Sequence, residues 1–126
     1  MQQVQVIHPD KFEVEISSGS MTRIAGVSKD LVGSEGIHLA VAVIPPGCRS
    51  EAHIHLNCES AIYITKGSGI FLSGPNLDQE LLFGPGDCIY VPSGAPHQPI
   101  NSDNTIEVEM IVARNAPTEI VEKYES

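Results

Sequence analysis

The sequence predicts one all-β domain, a sandwich or barrel, and three observations carry that prediction. Phe12-Glu13-Val14-Glu15-Ile16 and the series Ile106, Val108, Met110, Val112 alternate with charged residues at the two-residue period of a half-buried strand. Eleven Gly and nine Pro punctuate the chain between such segments. Finally, 126 residues with 41% hydrophobic and 18% charged content suit a single packed core and exclude disorder.

The elements follow in chain order. Residues 12–16 and 21–25 read as strands, joined across Ser18-Gly19. A weak helical turn falls near residues 28–32. Residues 37–44 are apolar on both faces and read as a central strand. Pro45-Pro46-Gly47 ends it. Strands are then predicted over 52–56, 61–65, 70–73, 80–83 and 87–91, separated by turns such as Lys66-Gly67-Ser68-Gly69 and Gly84-Pro85-Gly86. A second helical turn is predicted within 118–124. No linker or repeat interrupts the chain, so residues 1–126 are expected to form one domain.

Charge narrows the partners. Seven Lys+Arg against sixteen Asp+Glu give a net charge of −9. The seven cations are scattered singly, so nucleic acid and anionic lipid surfaces are poor partners. The longest apolar run, from Leu39 to Ile44, is far short of the roughly eighteen residues of a membrane span. The first residues lack a basic and apolar leader pattern, so cytoplasm is the expected location. Cys48, Cys58 and Cys88 lack CxxC spacing and are expected to be buried free thiols.

Chemistry concentrates in two places. His53 and His55 lie two apart on a strand and present both imidazoles to one face. Glu59 follows after the turn-like Asn57-Cys58. Further on, Pro92-Ser93-Gly94-Ala95-Pro96 aims a fourth candidate, His97. Imidazoles with a carboxylate suit one divalent ion: Fe, Mn, Ni, Zn, Co or Cu. Alone, a His-x-His pair also fits a hydrogen-bonded or surface role, and His8 and His38, without partners at ligand spacing, take that role. Asn57, Gln98 and Asn101 are placed to support ligands, Asn101 more simply as a turn cap. Tyr63 and Tyr90 flank the motifs as candidate acid–base groups, although core or rim packing suits them better. Arg49 and Lys66 are the cations near the motifs, free to meet a substrate carboxylate or simply to face solvent.

These residues fall into a recognisable pattern. Gly47-x5-His53-x-His55-x3-Glu59 resembles the first motif of the cupin superfamily, within residues 47–67. Gly86-x5-Pro92-x-Gly94-x2-His97-x3-Asn101 matches the second, over 86–101. Met21-Thr22-Arg23 and Ala61-Ile62-Tyr63-Ile64 further resemble a subgroup of small bacterial cupins. The resemblance implies a double-stranded β-helix, the jelly-roll barrel, with at most one or two short helical turns and a metal inside. It implies His53, His55, Glu59 and His97 as ligands. One departure stands out: the stretch from Glu59 to Gly67 is one residue longer than the family's first motif. Either Glu59 is the carboxylate ligand with a bulge, or Ser60 fills the slot and leaves a three-His site.

Function follows the resemblance only in outline, because a fold does not choose a reaction. A metal-dependent enzyme on a small polar metabolite is expected, of oxygenase, isomerase or epimerase, or lyase type. The alternatives are a non-catalytic small-molecule binding or sensing module, and a barrel that has lost its chemistry. Small cupins commonly dimerise, and Val4, Val6 and Ile7 with Phe12, Val14 and Ile16 offer an N-terminal strand pair for a homodimer.

Overall fold

The computed structural model describes residues 2–125, and its strands form two antiparallel sheets. The first sheet contains β1 (Glu13–Glu15), β2 (Thr22–Val27), β3 (His38–Ile44), β5 (Ser60–Lys66), β8 (Cys88–Val91) and β10 (Val108–Arg114), ordered β1-β2-β3-β10-β5-β8. The second contains β4 (His53–His55), β6 (Gly69–Ser73), β7 (Gln79–Phe83), β9 (His97–Asn101) and β11 (Val121–Lys123), ordered β11-β4-β9-β6-β7. This is the jelly-roll barrel that the motifs imply.

Alternation decides which residues fill the barrel. On β3, His38, Ala40, Ala42 and Ile44 are buried; on β5, Ser60, Ile62 and Ile64 are. β10 adds Val108 and Met110, and the second sheet contributes Phe71 and Phe83, whose rings meet edge to face at 5.6 Å. The core lies at one end of the barrel, and the polar residues His38, Ser60 and Arg114 stand in register across the first sheet at the other.

Among the described residues, helical structure is limited to one turn, Pro9–Lys11, and to α1 (Lys29–Val32). Ser28 caps α1 by accepting a hydrogen bond from Leu31 N, and Gly33 ends it at φ 75°.

Four expectations need correction. Residues 118–124 form no helix: β11 pairs with β4, Val121 opposite His55 and Lys123 opposite His53. β9 was not predicted, because Pro99 and the polar His97, Gln98 and Asn101 mask its alternation. Val4 and Val6 belong to no strand and lie exposed. Finally, β1 faces the opposite way from the one its alternation predicts. Val14 and Ile16 are 85% and 96% exposed, whereas Glu13 meets Ser28 and Glu15 meets Arg23 and His38. Polar partners on the inner side outweigh the apolar preference there.

Candidate metal centre

The second sheet brings three imidazoles together. His53 and His97 are directly opposite on β4 and β9, and His55 is on the same face of β4. Gly94, at φ 78°, makes the turn that delivers His97, and its N–H donates to His55 O at 2.8 Å. Ring centroids lie 4.4 to 5.2 Å apart, and a ligand atom from each ring lies within 4.8 Å of the others. All three side chains are buried.

Each ring is held by its Nδ1. That of His53 donates to Glu51 O at 2.8 Å and that of His97 to Ala95 O at 3.0 Å. A carbonyl oxygen only accepts, so both Nδ1 atoms carry the proton and Nε2 keeps its lone pair. His55 Nδ1 lies 3.0 Å from Glu119 Oε2, a close ion-pair approach rather than a well-aligned hydrogen bond. The nitrogen left on every ring is therefore Nε2, the arrangement expected of oriented metal ligands. Burial also favours the neutral form of His53 and His97. His97 is pulled down to about 4, first by burial and then by the neighbouring His53; burial likewise lowers His53, against the opposing pull of its bond to Glu51. Three oriented, buried imidazoles fit a divalent ion and leave its remaining positions open.

Around this triad runs an ionic network that sequence reading missed. Glu119 lies between β10 and β11. Its Oε1 is 2.6 Å from Arg23 Nη2, and its Oε2 is 3.1 Å from Arg114 Nη1. Arg23 Nε reaches Glu15 at 3.1 Å, and Glu15 reaches His38 Nε2 at 2.8 Å. Burial pushes the Glu119 carboxyl up, but His55, Arg23 and Arg114 more than offset this and hold it well below the usual carboxylate range. Asn57 pins this segment: its Nδ2 donates to Thr118 O, and its Oδ1 accepts from Ile120 N, both at 2.8 Å.

Other expected site residues lie elsewhere. Glu59 is exposed, outside the imidazole cluster, and accepts a hydrogen bond from Tyr90 Oη at 3.1 Å. The reason is register: inward positions on β5 start at Ser60, so its neighbour points out, and Ser60 lines the chamber. The fourth-ligand expectation for Glu59 is corrected accordingly. Tyr63 and Tyr90 are exposed too, and the bond to Glu59 raises the Tyr90 phenol. His38 faces the chamber but is bound to Glu15. Arg49 is exposed, and Lys66 sits 3.5 Å from Glu107. Gln98 donates to Ser50 O. Asn101 is a turn cap, donating to Ile44 O, Pro45 O and Ile106 O and accepting from Asp103 N. The cysteines are free, but only Cys58 is buried; Cys48 is half-buried and Cys88 exposed.

Comparisons agree with this architecture. A family profile described as a cupin domain matches residues 40–114. An uncharacterised protein of Acanthamoeba polyphaga mimivirus is 44% identical over 52 residues, covering 41% of this chain and 32% of that one. The chain thus spans about a third of that relative's length. Among solved structures, the polyketide cyclase RemF of Streptomyces resistomycificus superposes with a TM-score of 0.79 at 19% identity, covering 98% of this chain and 87% of that one. A protein described as a predicted oxalate decarboxylase from Thermotoga maritima gives 0.72 at 23% identity, covering 89% and 99%.

Proposed function

The chain belongs to the cupin domain family, and on that footing we propose a metal-dependent enzyme that acts on a small polar metabolite inside its barrel. His53, His55 and His97 hold the ion in this reading. The observation that carries it is the fixing of all three Nδ1 atoms by oxygens, which leaves three Nε2 atoms for one cation. A bound divalent ion would supply Lewis-acid polarisation of a ligand oxygen. The protein's own part is to keep His53 and His97 neutral by burial, to position His55 through Glu119, and to present an enclosed, largely apolar chamber. The reaction class stays broad: oxygenase, isomerase or epimerase, or lyase.

One observation favours the alternative, a non-catalytic binding module. Tyr63 and Tyr90 face outward, and Glu119 is engaged by two guanidinium groups, so none of them is a free acid or base at the triad. Elemental analysis of the purified protein and of His97→Ala tests the metal: wild type should carry about one ion per chain and the variant almost none. Equal metal content in the two proteins would sink the reading. Oxygen consumption and sugar-phosphate isomerisation by iron- and manganese-loaded protein then separate enzyme from binding module.

A further inference from the structure

Two cavities meet at the imidazole cluster. An inner chamber of about 50 Å³ lies between the sheets, and an outer recess of about 260 Å³ opens beside residues 16–18. Met21, Arg23, His53, His55 and Glu119 line both and form the partition between them. Arg23 is not fully used there. Its Nε faces Glu15, and its Nη2 serves Glu119 and, at 3.4 Å, Ile16 O. Its Nη1 meets no acceptor among the described residues. On the recess wall, Ser17 Oγ and Ser18 Oγ are closed off from solvent and also lack hydrogen-bond partners among the described residues. Such hydroxyls are destabilising until something satisfies them.

We propose that the outer recess is the subsite for the oxyanion of a small acidic ligand, held by Arg23 Nη1 and the hydroxyls of Ser17 and Ser18. The rest of the ligand is directed at the imidazole cluster, and the proposal rests on the metal reading of that cluster. The chemistry of the groups selects the ligand class. Arg23, Ser17 and Ser18 line one recess; once side-chain rotation turns the two hydroxyls toward it, they and a guanidinium N–H donate there, and a carboxylate or phosphate is the group that accepts several such bonds at once. Charge points the same way. Arg23 and Arg114 are balanced by Glu15 and Glu119, while Glu51 on the recess faces Lys123 at 3.5 Å. A divalent ion on the imidazoles adds positive charge at the partition, so an anion is drawn there despite the net charge of −9. Metal and anion therefore strengthen each other's binding.

The test runs in two steps. Zinc affinity of wild type is measured first, by competition with a chromophoric chelator, which examines the metal reading alone. Zinc-loaded protein is then titrated calorimetrically with malonate and, separately, with inorganic phosphate. Wild type should bind at least one probe, and the tighter one identifies the oxyanion as carboxylate or phosphate. Arg23→Lys keeps a positive charge beside Glu15 and Glu119 but loses Nη1; it should bind the probe about ten- to a hundredfold more weakly. Ser17→Ala/Ser18→Ala should bind several-fold more weakly, and it decides the matter if Arg23→Lys does not fold. Loaded wild type that binds neither probe, or variants with wild-type probe affinity, would overturn the subsite alone. Failure to bind zinc at the first step overturns the metal reading and the subsite together.

Discussion

Glu119 Oε2 lies 3.0 Å from His55 Nδ1, so a carboxylate beyond the last strand of the first sheet orients an imidazole in the second. Two guanidinium groups hold that carboxylate from behind, and Asn57 fixes the backbone on either side of it. His55 is therefore anchored from outside both motifs, whereas His53 and His97 are held from within them.

Glu119→Gln should weaken metal binding by about ten- to a hundredfold while the protein stays folded, because the neutral amide is a poorer partner for His55 and both arginines. Chelator competition measures it. Metal affinity equal to wild type would show that His55 needs no carboxylate behind it.

Glu59→Gln should leave metal affinity unchanged, since its carboxylate meets Tyr90 on the outside of the barrel. It should instead lower the Tyr90 phenol pKa, which is raised by that carboxylate and can be followed by ultraviolet titration. A large loss of metal in Glu59→Gln would restore the first motif's usual carboxylate ligand.

Acid should destabilise the metal-free protein in a defined window. His97 titrates at about 4 in the fold against an ordinary 6.5, and His53 is lowered as well. Between those values the unfolded chain takes the proton that the folded barrel refuses, so stability falls as pH falls from 6.5 toward 4 and this contribution levels out below. For His97 the full effect is on the order of 3 kcal/mol, at about 1.4 kcal/mol per pH unit. Urea midpoints should drop between pH 7 and pH 5, and less so in His97→Gln. Identical drops in the two proteins would assign the effect to other groups.

A homodimer is expected through the exposed apolar Val14 of β1 and Ile16 just beyond it, with the exposed Val4 and Val6 as further apolar surface. Light scattering should give about twice 13.5 kDa at micromolar concentration. Val14→Lys/Ile16→Lys should return the monomer mass, and a monomeric wild type would remove the idea.

What could be read from the sequence was what is local. The spacing of His53, His55 and His97 survives as a cluster because β4 and β9 are neighbours, and the Gly and Pro turns hold that pairing in place. Asn101 also reads correctly as a turn cap, since two of its four partners, Asp103 and Ile106, lie within five residues of it. Ser60 and Glu59 differ by one register step, which no composition argument resolves; only the pairing of β5 with β10 does. Arg23 and Glu119 carry no signal of their own, because they meet across 96 residues of chain and Glu119 reaches His55 in the other sheet. β11 reads as helical because Val121-Glu122-Lys123 has no alternation to show, and its strand conformation comes from β4.

During synthesis an emerging chain exposes all three imidazoles before it exposes Glu119 and its Asn57-clamped surroundings. Cation capture at that stage would use a looser trio, with His55 not yet steadied from behind. Dissociation should slow once β11 zips onto β4, so early and late loading differ in off-rate rather than in ligand identity. On the proposed metal reading, the late release of residues 118–123, after both sheets have most of their strands, would set when an ion becomes kinetically trapped.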